Sequence, residues 1–117
     1  MPSLNSVNLI GYLGQDPEMK FTPNGTAVTS CSIATTQVYT KEGERKEETT
    51  WHNIVVFGKQ AEFCNTYLHK GSLIFVEGRI NNRSWEGNDG VKHFRSEVVA
   101  SRVLALDKRK EDEQDVS

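Results

Sequence analysis

Residues 51–85, WHNIVVFGKQAEFCNTYLHKGSLIFVEGRINNRSW, read as strand, short helix, strand, and that order decides the fold. Successive side chains of a strand point to opposite sides, so Ile54 and Val56 share one face while Trp51, Asn53, Val55 and Phe57 share the other. Gly58-Lys59-Gln60 breaks the strand. Ala61, Cys64, Tyr67 and Leu68 then recur at i, i+3, i+6 and i+7, the packing stripe of a single helix. Gly71 is the expected C-terminal cap of that helix, and Ser72 to Trp85 returns to strand.

Upstream, Val7 to Gly14 is a mostly apolar strand closed by the turn signal Gln15-Asp16-Pro17, and a short extended piece runs from Glu18 to Phe21. Pro23-Asn24-Gly25 predicts a hairpin turn, and the Val, Thr, Ile and Tyr content of Ala27 to Tyr39 predicts one long strand. Residues 40–50, TKEGERKEETT, are polar and charged and read as a solvated loop or mobile hairpin tip with no core to fill. Downstream, Glu86 to Gly90 is a turn and Val91 to Leu106 a last strand. The expected fold is all-β: a five-stranded Greek-key barrel of the OB type, with one short helix between the third and fourth long strands. Residues 1–107 form its one domain, and residues 108–117, polar apart from Val116, are expected to be a short disordered acidic tail.

A chain of 117 residues with 36% hydrophobic composition supports one core and one domain. Its apolar runs, such as Ile54 to Phe57, fall far short of the ~20 residues a membrane-spanning helix needs. MPSLNSVNLIGYLG has no basic start and no long apolar stretch, so neither secretion nor organelle import is expected and a cytoplasmic protein is. Cys31 and Cys64 lie far apart in core-like surroundings, and His52, His69 and His93 are scattered; no metal or cofactor is expected. No phosphate loop, nucleophile elbow or Asp/His/Ser grouping points to an enzyme, and no catalytic residue is nominated.

The formal net charge of −2 has to be read by location. Four acids, Glu111, Asp112, Glu113 and Asp115, crowd the last seven residues, and residues 1–110 carry 14 basic against 12 acidic groups. Within that excess, Arg79, Asn81, Arg83 and Trp85 share one face of a continuous strand. If Ile54 and Val56 fill the core, Trp51 and Phe57 face outward; alternation alone leaves them open between core filling and surface platform. Exposed aromatics suit single-stranded nucleic acid, because every base has a π-face to stack, and Arg79, Arg83, Lys59 and Lys70 could then meet phosphates. His52, on the opposite face, reads as a buried or interfacial histidine.

From residue 5 to about 106 the sequence resembles the bacterial single-stranded DNA-binding proteins. The resemblance is carried by Asn8-Leu-Ile-Gly-Tyr-Leu-Gly-Gln-Asp-Pro-Glu18, Asn24-Gly25, Ile33-Ala-Thr35, Thr50-Trp-His52, Phe57-Gly-Lys-Gln-Ala-Glu62, Tyr67-Leu-His-Lys-Gly-Ser72, Val76-Glu-Gly78 and Trp85. It implies a homotetramer that binds single-stranded DNA without sequence preference and catalyses nothing. It also implies base stacking at Trp51, Phe57 and Trp85, a weaker stack at Tyr39 where the family carries tryptophan, and a subunit contact at His52. Two departures stand out. Asn81 occupies a position where the family often carries a basic residue. The tail Glu111-Asp-Glu-Gln-Asp-Val-Ser117 is acidic but lacks the hydrophobic tip through which relatives recruit replication and repair proteins, which weighs against those partners here. Two rival readings are a dimeric OB-fold replication-restart accessory protein and an OB module that binds RNA or protein.

Overall fold

The computed structural model describes residues 2–107, so the expected tail at 108–117 lies outside the described residues. Seven elements follow one another: β1 (Val7–Leu13), β2 (Glu18–Phe21), β3 (Ala27–Lys41), β4 (Glu44–Phe57), α1 (Lys59–Tyr67), β5 (Leu73–Glu86) and β6 (Lys92–Ala105). The strands run in the order β1-β5-β6-β4-β3-β2, and a further β1–β3 pairing closes five of them into a barrel with β2 as a short flap on β3. All pairings are antiparallel except β4 with β6, joined in parallel at Ile54↔Val98 and Val55↔Val99. This is the five-stranded OB barrel expected from the element order, with α1 between the third and fourth long strands.

Ile33, Ile54, Val56, Ile74, Val76, Val98 and Val103 fill the interior, and α1 closes one end with Ala61, Cys64 and Leu68. Buried Thr29 donates its hydroxyl to the Ala61 carbonyl at 2.7 Å, tying the helix to β3. The Gln60 side chain ties it to β6, donating to the Ser101 carbonyl at 2.7 Å and accepting from the Val103 amide at 2.9 Å. Ser101 is the extra residue of a bulge, since Glu77 faces Arg102 whereas Gly78 faces Ala100. Gly78 lets the strands close there: a Cβ on it would lie 2.2 Å from the Val99 carbonyl oxygen.

Three expectations need correction. Of the two readings of residues 40–50, the hairpin tip holds and the solvated loop does not: β3 and β4 stay paired out to Lys41↔Glu44, and the turn is only Glu42-Gly43, with φ of 53° and 78°. Two consecutive positive φ values make the tight turn whose twist suits a hairpin, and the ladder rests on backbone hydrogen bonds that need no apolar pattern. The side chains of this arm are exposed, as their polarity requires. Gly71 does not cap α1. Leu68 leaves the helical region at φ −100°, ψ 150° and returns its amide to the Cys64 carbonyl, while Gly71, at φ 92°, turns the chain into β5 and donates to the Leu13 carbonyl at 2.9 Å. Tyr67 is half exposed, with its ring 5.2 Å from that of Phe63, because at about 100° per residue it lies about 120° round the helix from Ala61.

Cys31 and Cys64 are buried free thiols. Burial pushes Cys31 up to about 12, reinforced by Cys64, and pushes Cys64 up to about 11. No helix among the described residues is long and apolar enough to cross a membrane.

Candidate nucleic-acid interface

The parity that buries Ile54 and Val56 turns Trp51 and Phe57 outward, and they are 58% and 46% exposed. Trp51 is seated on the chain just past β1: a Cβ on Gly14 would lie 2.4 Å from Cζ3 and 2.7 Å from Cη2 of the indole. The ring therefore occupies the space that a side chain at residue 14 would take.

On β5, Arg79, Asn81, Arg83 and Trp85 share the outer face, opposite Val99, Glu97, Arg95 and His93 of β6. Trp85 is 42% exposed and has the His93 ring stacked on it, with centroids 5.6 Å apart and planes 23° apart. Arg83 holds its guanidinium carbon 5.3 Å from the indole centroid, a cation–π contact. An open groove of about 540 Å³ connects β4 to this ribbon, with Asn53, Phe57, Arg83, Arg95 and Glu97 in its lining. Asn81 points its amide at the buried Glu97 carboxylate, with Nδ2 3.4 Å from Oε1, so the departure at residue 81 is occupied by an internal contact.

The structure thus joins Phe57 and Arg83 in one groove; Trp85 lies two residues further along β5 on the Arg83 face, and Trp51 lines a neighbouring opening that shares Asn53 with the groove. Other nominated residues stand apart. Arg79 lines a smaller recess with Asn5, Ser6 and Ser101. Lys59 is exposed at the start of α1, and Lys70 lies in the turn before β5, where its amide donates to Asp16 at 2.8 Å. Tyr39 is exposed on the β3–β4 arm facing Lys46, with strand parity opposite to Trp51. His52 is half-buried, its Nε2 2.8 Å from the Thr35 hydroxyl, at an opening it shares with Val7, Leu9 and Ile80.

Sequence reasoning missed Gly14, His93, Phe94, Lys92 and Arg95. The β6 residues could have been found by pairing across the turn at Glu86 to Gly90, which brings His93 opposite Trp85 and Arg95 opposite Arg83.

A closed OB barrel with exposed aromatics and arginines along its outer sheet presents flat rings and positive charge on one surface. The chain belongs to the single-strand binding protein family, whose model it matches over residues 4–106. It is 44% identical over 110 residues to the single-stranded DNA-binding proteins of Neisseria meningitidis serogroups A and B. The aligned region covers 93% of this chain and spans 63% of the length of those relatives. Among solved structures, a Plasmodium falciparum SSB in complex with ssDNA superposes with a TM-score of 0.85 at 31% identity, covering 92% of this chain and 98% of that one. A deletion mutant of the single-stranded DNA binding protein from Thermus aquaticus superposes with a TM-score of 0.80 at 38% identity, covering 91% and 52%.

Proposed function

We propose that this protein binds single-stranded DNA without sequence preference, protects it during replication, recombination and repair in the cytoplasm, and catalyses no reaction. The observation that carries this reading is the groove that joins Phe57 and Arg83 on a barrel of this family, with Trp51 and Trp85 exposed beside it. Bases stack on Trp51, Phe57 and Trp85, with Tyr39 as a further contact on the arm. Each stack contributes about 1–3 kcal/mol whatever the base, because it uses the ring face and not the hydrogen-bonding edge. Arg83, Arg79, Lys59 and Lys70 meet phosphates, which makes binding salt-dependent.

Residues 1–107 also assemble a homotetramer in this reading, and two features of β1 support it. β3 pairs with β1 only at Tyr12 and Leu13, so the opposite edge from Val7 to Ile10 lacks a strand partner among the described residues. An unpaired edge is a template for another strand. The outer face of the same sheet exposes Ile10, Tyr12 and Leu104 around Leu73 and Phe75, an apolar surface that a second barrel would cover. An edge contact and a face contact, each two-fold, generate a closed tetramer. His52 shares its opening with Val7 and Leu9 of that edge strand, consistent with a subunit contact.

The test is titration with poly-dT at low and high salt while tryptophan emission is followed. Tight, salt-sensitive binding with strong quenching is expected. Absence of both quenching and binding, or preference for structured RNA in competition, would overturn the reading.

A further inference from the structure

Beyond Ile80 and Val98 the β5–β6 ribbon leaves the barrel. β1 accompanies β5 only as far as Val7↔Gly78, and β4 meets β6 only at Val98 and Val99. Asn5 marks the departure, its side chain donating to the Ile80 carbonyl at 2.8 Å and accepting from the Ile80 amide at 2.9 Å. From there to Glu86↔Lys92 the two strands pair only with each other among the described residues. Both faces of the ribbon are therefore open.

One face carries Trp85. The other carries Phe94, opposite Ser84 and 74% exposed, with the Lys92 ammonium 5.5 Å from its ring centroid. The next pair inward on that side is Asn82 and Ser96, hydrogen-bonded to each other at 2.8 Å. This face has one aromatic ring, one cation and small polar side chains, with the exposed Glu86 opposite Lys92 at its outer end. A protein partner would want a contiguous apolar patch, which Ser84, Asn82 and Ser96 do not supply. A nucleotide wants one flat ring for its base and one positive charge for its phosphate, both of which are present. The charge of the ribbon agrees: from residue 79 to 96 it carries four Lys and Arg against two acids, Glu86 and Asp89.

We propose that Phe94 and Lys92 form a second stacking site for a nucleotide, on the face of the β5–β6 ribbon opposite Trp85, so that single-stranded DNA folds over the ribbon instead of lying along one side. This rests on the single-stranded DNA reading of the Trp85 face.

The experiment uses the full chain and dT oligonucleotides that carry 5-iodouracil, with photocrosslinked peptides mapped by mass spectrometry, alongside equilibrium binding of the wild type, Phe94→Ala and Phe94→Tyr. The expected result is a crosslink at Phe94 on long oligonucleotides, binding weakened about tenfold in Phe94→Ala, and recovery in Phe94→Tyr. The crosslink is read on the wild type and so does not depend on how the variant folds. A wild type that binds while Phe94 takes no crosslink and Phe94→Ala matches it overturns this inference alone. So does a Phe94→Ala protein that binds normally but sediments at lower mass, which would give the ring to a contact between subunits. A wild type that binds no oligonucleotide overturns the Trp85 reading and this inference with it.

Discussion

Replacing Gly14 by alanine should weaken single-stranded DNA binding from a position that itself offers no group to the ligand. The added Cβ would lie 2.4 Å from Trp51 Cζ3, where ordinary contact begins at 3.4 Å, so the indole has to move by about 1 Å. It has somewhere to go, because the ring is more exposed than buried and can swing outward. Gly14 does not sit in the left-handed region, so alanine adds no backbone strain, and the stability cost should stay below about 1 kcal/mol. Binding pays more. A full stack is worth about 1–3 kcal/mol, and a tilted ring that keeps part of it predicts a loss near 1 kcal/mol, about fivefold in Kd. The assay is quenching of tryptophan emission by dT oligonucleotides, with a thermal melt as control. A double-mutant cycle with Trp51→Ala isolates the route: if Gly14 acts through the indole, Gly14→Ala has no further effect once Trp51 is gone. Wild-type affinity in Gly14→Ala, or an equal penalty in the Trp51→Ala background, would refute the argument.

Arg83→Ala should lower the slope of log affinity against log salt by about one; an unchanged slope removes Arg83 from the phosphate contacts. Ile10→Asp combined with Tyr12→Asp should reduce the proposed tetramer to a smaller species by analytical ultracentrifugation while leaving the barrel folded, and an unchanged mass would reject the β1 face as an interface. Alkaline stability should report the two thiols. The unfolded chain releases their protons near pH 9.0, whereas the folded chain holds them to about 11 and 12, so across that window the unfolded state binds fewer protons and stability falls as pH rises. The difference in melting temperature between wild type and Cys31→Ala/Cys64→Ala should therefore change between pH 8 and pH 10.5, and equal pH slopes in the two proteins would contradict it.

The barrel was legible wherever burial imposes a period. Ile54 and Val56 alternate into the core, Ala61, Cys64 and Leu68 form a helical stripe, and Asn24-Gly25 makes its turn, with Gly25 at φ 87°. It was illegible where backbone pairing or a local irregularity does the work. The β3–β4 arm extends on hydrogen bonds between polar residues, so no hydrophobic signal marks it. In β6, Val98 and Val103 are both buried although five residues apart, which strict alternation forbids. The bulge at Ser101 absorbs the odd residue, and Gln60, which holds it from the helix, reads in sequence only as part of a strand break. Parity put Trp51 and Phe57 on the face opposite Ile54 and Val56 but left them open between core and surface, and His93 and Phe94 depend on the register across the ribbon, a tertiary fact no single segment carries.

The same partition explains how a chain of net charge −2 can present a face suited to an anion. On the β3–β4 arm two of the four acids are matched locally: Glu44 lies 3.0 Å from Lys46, and Glu47 lies 3.5 Å from Arg45. These exposed pairs contribute little to stability, yet they keep acidic groups occupied beside one another on the arm. Arg79, Arg83 and Arg95 make no ion pair among the described residues, and of the two carboxylates that line the groove of Arg83 and Arg95, Glu97 is buried against Asn81 and Glu18 lies 3.5 Å from Lys20. Guanidinium groups that hold no ion pair can exchange water and counterions for phosphate without first breaking one. The charge that governs binding is therefore that of the ribbon and groove, and a basic residue introduced on the arm should change affinity less than one removed from residues 79–95.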